Sequence, residues 1–194
     1  MTRFESVPAR TRKNIESYGL AVVSRAFPKL VESPNCIPIA EFLEFDLGYF
    51  APGIEVRFGS LPSPTEAVTI PSSAPGQPIE IIFDEEVIAR MVDLEGRARF
   101  TGAHELYHGL VHANELKTKL SDGPRPEGLY RVQDVPRYCD PEWQANVFAG
   151  AFLMPEPAVR AFHAECGRHI YLMMDLFKVS KMVATVRLDK LGLD

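Results

Sequence analysis

The sequence predicts an α+β fold, mostly helical, with a small three-stranded sheet and short helices closing the chain. Two observations carry this. Three short runs between residues 53 and 83 read as strands, the first alternating apolar and polar residues with the period of a half-buried strand. Longer stretches on either side repeat their apolar residues at helical spacing. The 194 residues, 46% hydrophobic and 24% charged, suffice for one core and are too few for two full-sized domains. A net charge of −5 weighs against binding driven by nucleic-acid phosphates. The three cysteines (Cys36, Cys139 and Cys166) are scattered and odd in number, which argues against a disulfide framework and fits a reducing cytoplasm. The first residues hold no apolar signal core and no stretch is long enough to span a bilayer, so a soluble cytoplasmic protein without membrane contact is expected.

Each element has its own signal. In residues 9–30, Ile15, Tyr18, Val22, Ala26 and Leu30 recur at helical spacing, while Arg12, Lys13, Glu16 and Arg25 are available for water. Pro28 unsettles that helix's end. Pro38 suits the first turn of a second helix running toward Gly48. Residues 53–58, 67–70 and 79–83 are the three strands, separated by a turn at 60–64 and a Pro/Ser/Gly loop at 71–78. Asp84 is an N-cap for a helix over 85–94, which Gly96 ends or kinks. Residues 97–114 form the next helix, and 114–140, polar and rich in Gly and Pro, read as a long loop or loop with hairpin. Pro141 opens a helix that stops at Pro155, and two or three short helices finish the chain. The organisation expected is an N-terminal helical segment (1–36), a core (37–160) and a C-terminal helix-turn-helix-like segment (161–194) packed on it, all one compact unit.

The helix over 97–114 carries His104-Glu105-Leu106-Tyr107-His108, an H-E-x-x-H pattern. Positions i and i+4 share a helix face, so both imidazoles reach one metal ion with Glu105 beside it. Zinc suits such ligands, lowers the pKa of a bound water toward about 7, and leaves a neighbouring glutamate to take the proton. Glu142, at the start of a later helix, is placed to be a third ligand. Asn146, one turn on, is placed to orient a metal-bound histidine. On spacing alone the alternatives stay open: two unrelated histidines on a polar surface, and a glutamate that favours a helix N-terminus.

The wider pattern narrows them. Arg99-Phe100-Thr101-Gly102-Ala103-His104-Glu105-Leu106-Tyr107-His108, then Glu142-Trp143-Gln144-Ala145-Asn146-Val147-Phe148-Ala149 and Leu153-Met154-Pro155, closely resemble the ImmA/IrrE family of metallo-endopeptidases. Phe177-Lys178-Val179-Ser180, Arg187-Leu188 and Leu191-Gly192-Leu193 resemble that family's ending. The resemblance spans roughly residues 37–193. It implies a compact zincin-like (minimal gluzincin) fold with a small sheet beside the metal helix. It makes His104, His108 and Glu142 the ligands of one Zn2+ per chain, another divalent ion being open, and Glu105 the general base. It further implies an endopeptidase acting on a specific intracellular protein, a DNA-binding repressor or antitoxin-like partner, in a stress-response, mobile-element or toxin–antitoxin setting. The alternative is a non-cleaving zinc-binding regulatory protein of the same fold. The chain departs from the commonest pattern at Tyr107, where a small residue is usual, at Gln144, where many members carry an acid, and in a longer insertion over 85–94.

The remaining candidates read as structural. His112, one turn past His108, is expected to support rather than ligate. Cys139 is expected to be an ordinary reduced cysteine despite lying near Glu142. Tyr107 and Tyr138 are candidate donors to an oxyanion. His163 and His169 are expected at the surface, and Phe148, Phe152, Leu153 and Met154 in the core. Residues 172–193 resemble a small helix-turn-helix with Lys181, Arg187 and Lys190 exposed, too few cations to predict DNA binding.

Overall fold

The computed structural model describes residues 7–72, 74, 76–115 and 136–194. Helix α1 (Arg12–Ala26) starts at Thr11, whose side chain accepts from the Asn14 N–H, and buries Ile15, Gly19, Val22 and Val23. It ends four residues earlier than the apolar spacing suggests. Pro28 cannot donate to the helix ladder, and the chain turns through a 3-10 segment, Pro28–Leu30. Tyr18, expected on the buried stripe, is exposed. Helix α2 runs from Ile39–Glu41 through a π-helical segment, Phe42–Asp46, into Leu47–Phe50.

The strands follow: β1 (Ile54–Gly59), β2 (Ala67–Ile70) and β3 (Ile79–Asp84). Their order is β1-β3-β2. β1 is parallel to β3 with Ile54 opposite Ile79, and β2 is antiparallel to β3 with Ala67 opposite Phe83. Ile79, Ile81 and Phe83 alternate inward. Asp84 caps helix α3 (Glu85–Val92), one carboxylate oxygen accepting from Glu86 N–H and the other from Leu61 N–H, both 3.0 Å. Those two bonds hold its pKa below the ordinary value.

Helix α4 (Gly96–Tyr107) continues into a π-helical segment, His108–His112. Gly96 therefore opens this helix rather than ending the one before, which α3 does by itself at Val92. The missing side chain matters for packing: a Cβ on Gly96 would lie 2.6 Å from Ser180 N and 2.7 Å from the Val179 carbonyl carbon. At Gly109 a Cβ would meet Ile81 Cδ1 at 2.8 Å, so the π segment presses directly on β3. The loop or hairpin expected over 114–140 falls largely on residues outside the described set. The chain is described again from a 3-10 turn, Arg137–Cys139, into helix α5 (Pro141–Leu153).

Helices α6 (Glu156–Cys166), α7 (Ile170–Phe177) and α8 (Lys181–Leu191) close the described chain. Two arginines join distant parts. Buried Arg99 on α4 donates to Lys178 O (3.0 Å) and Ile37 O (2.8 Å). Arg187 on α8, expected at the surface, is buried: it donates to Met154 O (3.0 Å), at the C-cap of α5, and to Glu16 (2.9 Å) on α1. The end of a helix leaves carbonyls without partners, and this guanidinium supplies one. Only Lys181 and Lys190 of the three expected cations face solvent. Among the described residues no helix is long and apolar enough to cross a membrane.

Candidate metal centre

Helical spacing on α4 sets His104 and His108 side by side, with their Nε2 atoms 3.0 Å apart. Glu142 enters from the first turn of α5. Asp140 caps that helix by accepting from the Glu142 N–H at 2.9 Å, which fixes where the glutamate starts. Its carboxylate lies 3.2 Å from His104 Nε2 and 3.5 Å from His108 Nε2. A tetrahedral ion with ligand bonds of roughly 2.0–2.1 Å separates its ligand atoms by about 3.3 Å, so the three donors stand close to the spacing one ion requires. They form the one group of three or more His, Cys, Asp or Glu among the described residues that could hold a metal. Access is one-sided: the His108 side chain is 4% exposed, His104 15% and Glu142 59%.

The hydrogen bonds behind the cluster settle which imidazole nitrogen faces it. Gln144 is fully buried, and its amide nitrogen lies 3.0 Å from Pro8 O and 2.7 Å from Tyr138 O, two groups that only accept. Its Oε1 is thus the acceptor for His112 Nε2 at 3.2 Å. His112 Nδ1 is left to accept from His108 Nδ1 at 2.9 Å. The His108 Nε2 lone pair then points at the metal position. His104 is set the same way, its Nδ1 donating to Asn146 Oδ1 at 3.1 Å.

The electrostatics agree with that arrangement. Burial, then the neighbouring His104 and His112, drives the His108 pKa down to about 2, so this ligand is neutral at any working pH. Burial also lowers His112, to about 4, against the Gln144 hydrogen bond. At His104 burial disfavours the charge, yet Glu142, Glu105 and Asn146 outweigh it and hold the pKa above the ordinary value. Glu105 is raised, chiefly by burial. The Thr69 hydroxyl, donating to Oε2 at 2.7 Å, and His104 pull it back down.

The structure thus brings His104, His108 and Glu142 together, sets Glu105 beside them and places Asn146 where spacing put it. His112 stands behind His108 rather than in the cluster. Cys139 lies outside the group, its carbonyl accepting from Val7 N–H. Tyr107 is buried, its ring 4.8 Å from that of Phe148 and its hydroxyl 3.5 Å from Gln144 Oε1. Tyr138 is half exposed, and its carbonyl accepts from Gln144. His163 is half-buried, 3.0 Å from Asp194 O, and exposed His169 caps α7 through its Nδ1. Sequence reasoning missed Thr69. Its position on the inward face of β2, beside Ala67, was the available signal, since a buried hydroxyl must find a partner.

Comparison with known proteins narrows the chemistry. Residues 93–189, half the chain, match the model of the IrrE N-terminal-like domain, peptidase family M78. The chain belongs to that family. No curated protein matches it by sequence. A Mycobacterium tuberculosis transcriptional regulator of known structure superposes with a TM-score of 0.58 at 17% identity, covering 91% of this chain and 46% of its own. The IrrE-like chain described here thus spans less than half of that regulator, and the likeness is one of fold. Family membership supports a peptidase and gives the His104–His108–Glu142 group a metallopeptidase context.

Proposed function

We propose that this chain is a zinc-dependent endopeptidase that cleaves a specific protein, with His104, His108 and Glu142 as ligands and Glu105 as general base. One observation carries the reading: the three donor atoms converge while Glu105, held by Thr69, stands next to them. A divalent ion in that place supplies Lewis acidity, easing loss of a proton from water and polarising a carbonyl. The chain's own residues do the rest. Glu105 accepts the proton from the attacking water at its carboxylate and returns it to the departing amine. The raised pKa of this carboxylate suits the first step, because a stronger base takes the proton more readily. The Thr69 hydroxyl fixes which oxygen stays free. β2, which pairs only with β3 among the described residues, leaves an edge to which an extended peptide can bond.

The substrate we propose is a transcriptional repressor or antitoxin-like protein in the cytoplasm. The family resemblance and a structural neighbour named as a transcriptional regulator support this. Direct DNA binding is not part of the proposal, given the inward turn of Arg187. The test uses a proteome-derived peptide library, with new amino termini read by mass spectrometry. Zinc-loaded protein should generate them and Glu105→Gln should not. Metal analysis should find one zinc per chain, lost in His104→Ala and Glu142→Ala. Full metal with no cleavage of any peptide or candidate repressor would favour the non-cleaving regulatory reading.

A further inference from the structure

Beside the metal centre, α5 and α8 border a groove of about 460 Å³. We infer that it receives an acidic segment of the substrate protein carrying apolar anchor side chains, an assignment that rests on the peptidase reading. The groove's apolar wall is exposed: Met182 and Val186 on α8 are 73% and 47% accessible. Opposite them Val147, Gly150 and Ala151 line it from α5. Gly150 leaves room there, for a Cβ built on it meets nothing within 4 Å.

The rim is cationic. Arg12, Arg137 and Lys190 line the groove and no carboxylate does among the described residues, in a chain whose net charge is −5. Arg12 is partly engaged with Glu16, at 3.3 Å. Arg137 and Lys190 have no carboxylate partner among the described residues. Arg12 and Arg137 each stand 5.7 Å from the centroid of Trp143, which holds their charge at one end of the groove. The Trp143 indole N–H is buried without an acceptor among the described residues.

Continuity with the metal centre makes the occupant a stretch of substrate rather than a separate ligand. Asn146 lines the groove and also accepts from His104 at 3.1 Å. Phe100, also on the wall, lies one helical turn before His104. From Glu142 to Gly150 the helix rises about 12 Å at roughly 1.5 Å per residue. An extended chain covers that in about three to four residues. The anchor side chain therefore enters the groove three or four residues from the bond to be cut.

The test measures binding apart from cleavage. Zinc-loaded, full-chain Glu105→Gln protein is titrated with a fluorescein-labelled 12-residue peptide of Leu and Phe among Asp and Glu. Its counterpart carries Lys in place of the acids. The acidic peptide should bind at least about tenfold tighter. Gly150→Leu should weaken it about tenfold or more, and Arg137→Glu with Lys190→Glu should abolish or invert the preference, with zinc content unchanged. Circular dichroism checks the fold, and if Gly150→Leu does not fold, the exposed charge pair decides alone. Equal binding of the two peptides, or undiminished binding by the folded variants, overturns the assignment. So does a dimer in sedimentation that Gly150→Leu dissociates, because a second copy would then own the groove. Failure here leaves cleavage dependent on Glu105, whereas failure of the peptidase reading leaves peptide binding intact, so the two are distinguishable.

Discussion

Replacing His112 with Phe tests whether the hydrogen bonds behind the ligands tune the metal. Phe keeps a flat ring, larger than imidazole by about one methylene, and should keep the edge-on contact with Tyr107, whose ring centroid lies 4.9 Å away. It removes the acceptor 2.9 Å from His108 Nδ1 and the donor 3.2 Å from Gln144 Oε1. Gln144 keeps Arg10 as a donor at 3.2 Å, so the amide still has a partner. His108 loses the group that fixes its tautomer and ring orientation. Changes of this kind cost 10–100-fold in metal affinity, about 1.4–2.7 kcal/mol. Because the bond lost is neutral, and neutral bonds net about 0.5–1.5 kcal/mol, the loss should fall at the low end of that range, about tenfold. Competition with a chromophoric zinc chelator at neutral pH reads this without any substrate. Gln144→Met acts through the same imidazole, so adding it to His112→Phe should cost less than it costs alone. Wild-type affinity in a folded His112→Phe variant would refute the relay and leave His112 as core filling.

Zinc affinity should fall as pH drops through the raised His104 pKa, since the ion must displace that proton. The slope should be one proton per ion, because His108 stays neutral down to about 2; a slope of two would contradict the assignment. Thr69→Val removes a bond that lowers the Glu105 pKa, so the acid limb of the pH–rate profile should move to higher pH. The bound ion shifts both proteins alike and leaves the sign intact; superimposable profiles would count against Glu105 as base. Gly96→Ala drives a methyl into the backbone of Val179 and Ser180 and should cost about 1–3 kcal/mol, a melting temperature lower by roughly 3–10 °C. Gly48→Ala, on a helix with nothing within 4 Å, should match or exceed wild-type stability.

The sheet and metal helix were legible because their signals are local. Ile79, Ile81 and Phe83 alternate inward as written, and His104 with His108 needs only the helical period. Glu142 and Asn146 were legible as a second turn of the same kind. The π segments at Phe42–Asp46 and His108–His112 were not, since one extra residue per turn barely alters an apolar pattern. Arg187 misled because arginine's ordinary place is the surface. The carbonyl it satisfies at Met154 belongs to another helix and has no trace in the local sequence. Gln144 read as a departure from an acid, yet its amide does what a carboxylate cannot, donating to two carbonyls while accepting from His112.

That amide also orders events in time. Pro8 and Gln144 are 136 residues apart, and their hydrogen bond cannot form until both have been synthesised. At roughly 5–20 residues per second, that interval is about 7–27 seconds on the ribosome. The two histidines emerge before the glutamate and before the residue that orients them. Early metal capture would meet an incomplete, poorly aimed pair. Loading therefore waits until Gln144 has been made, when the segment around Pro8 can reach the helix that closes the site.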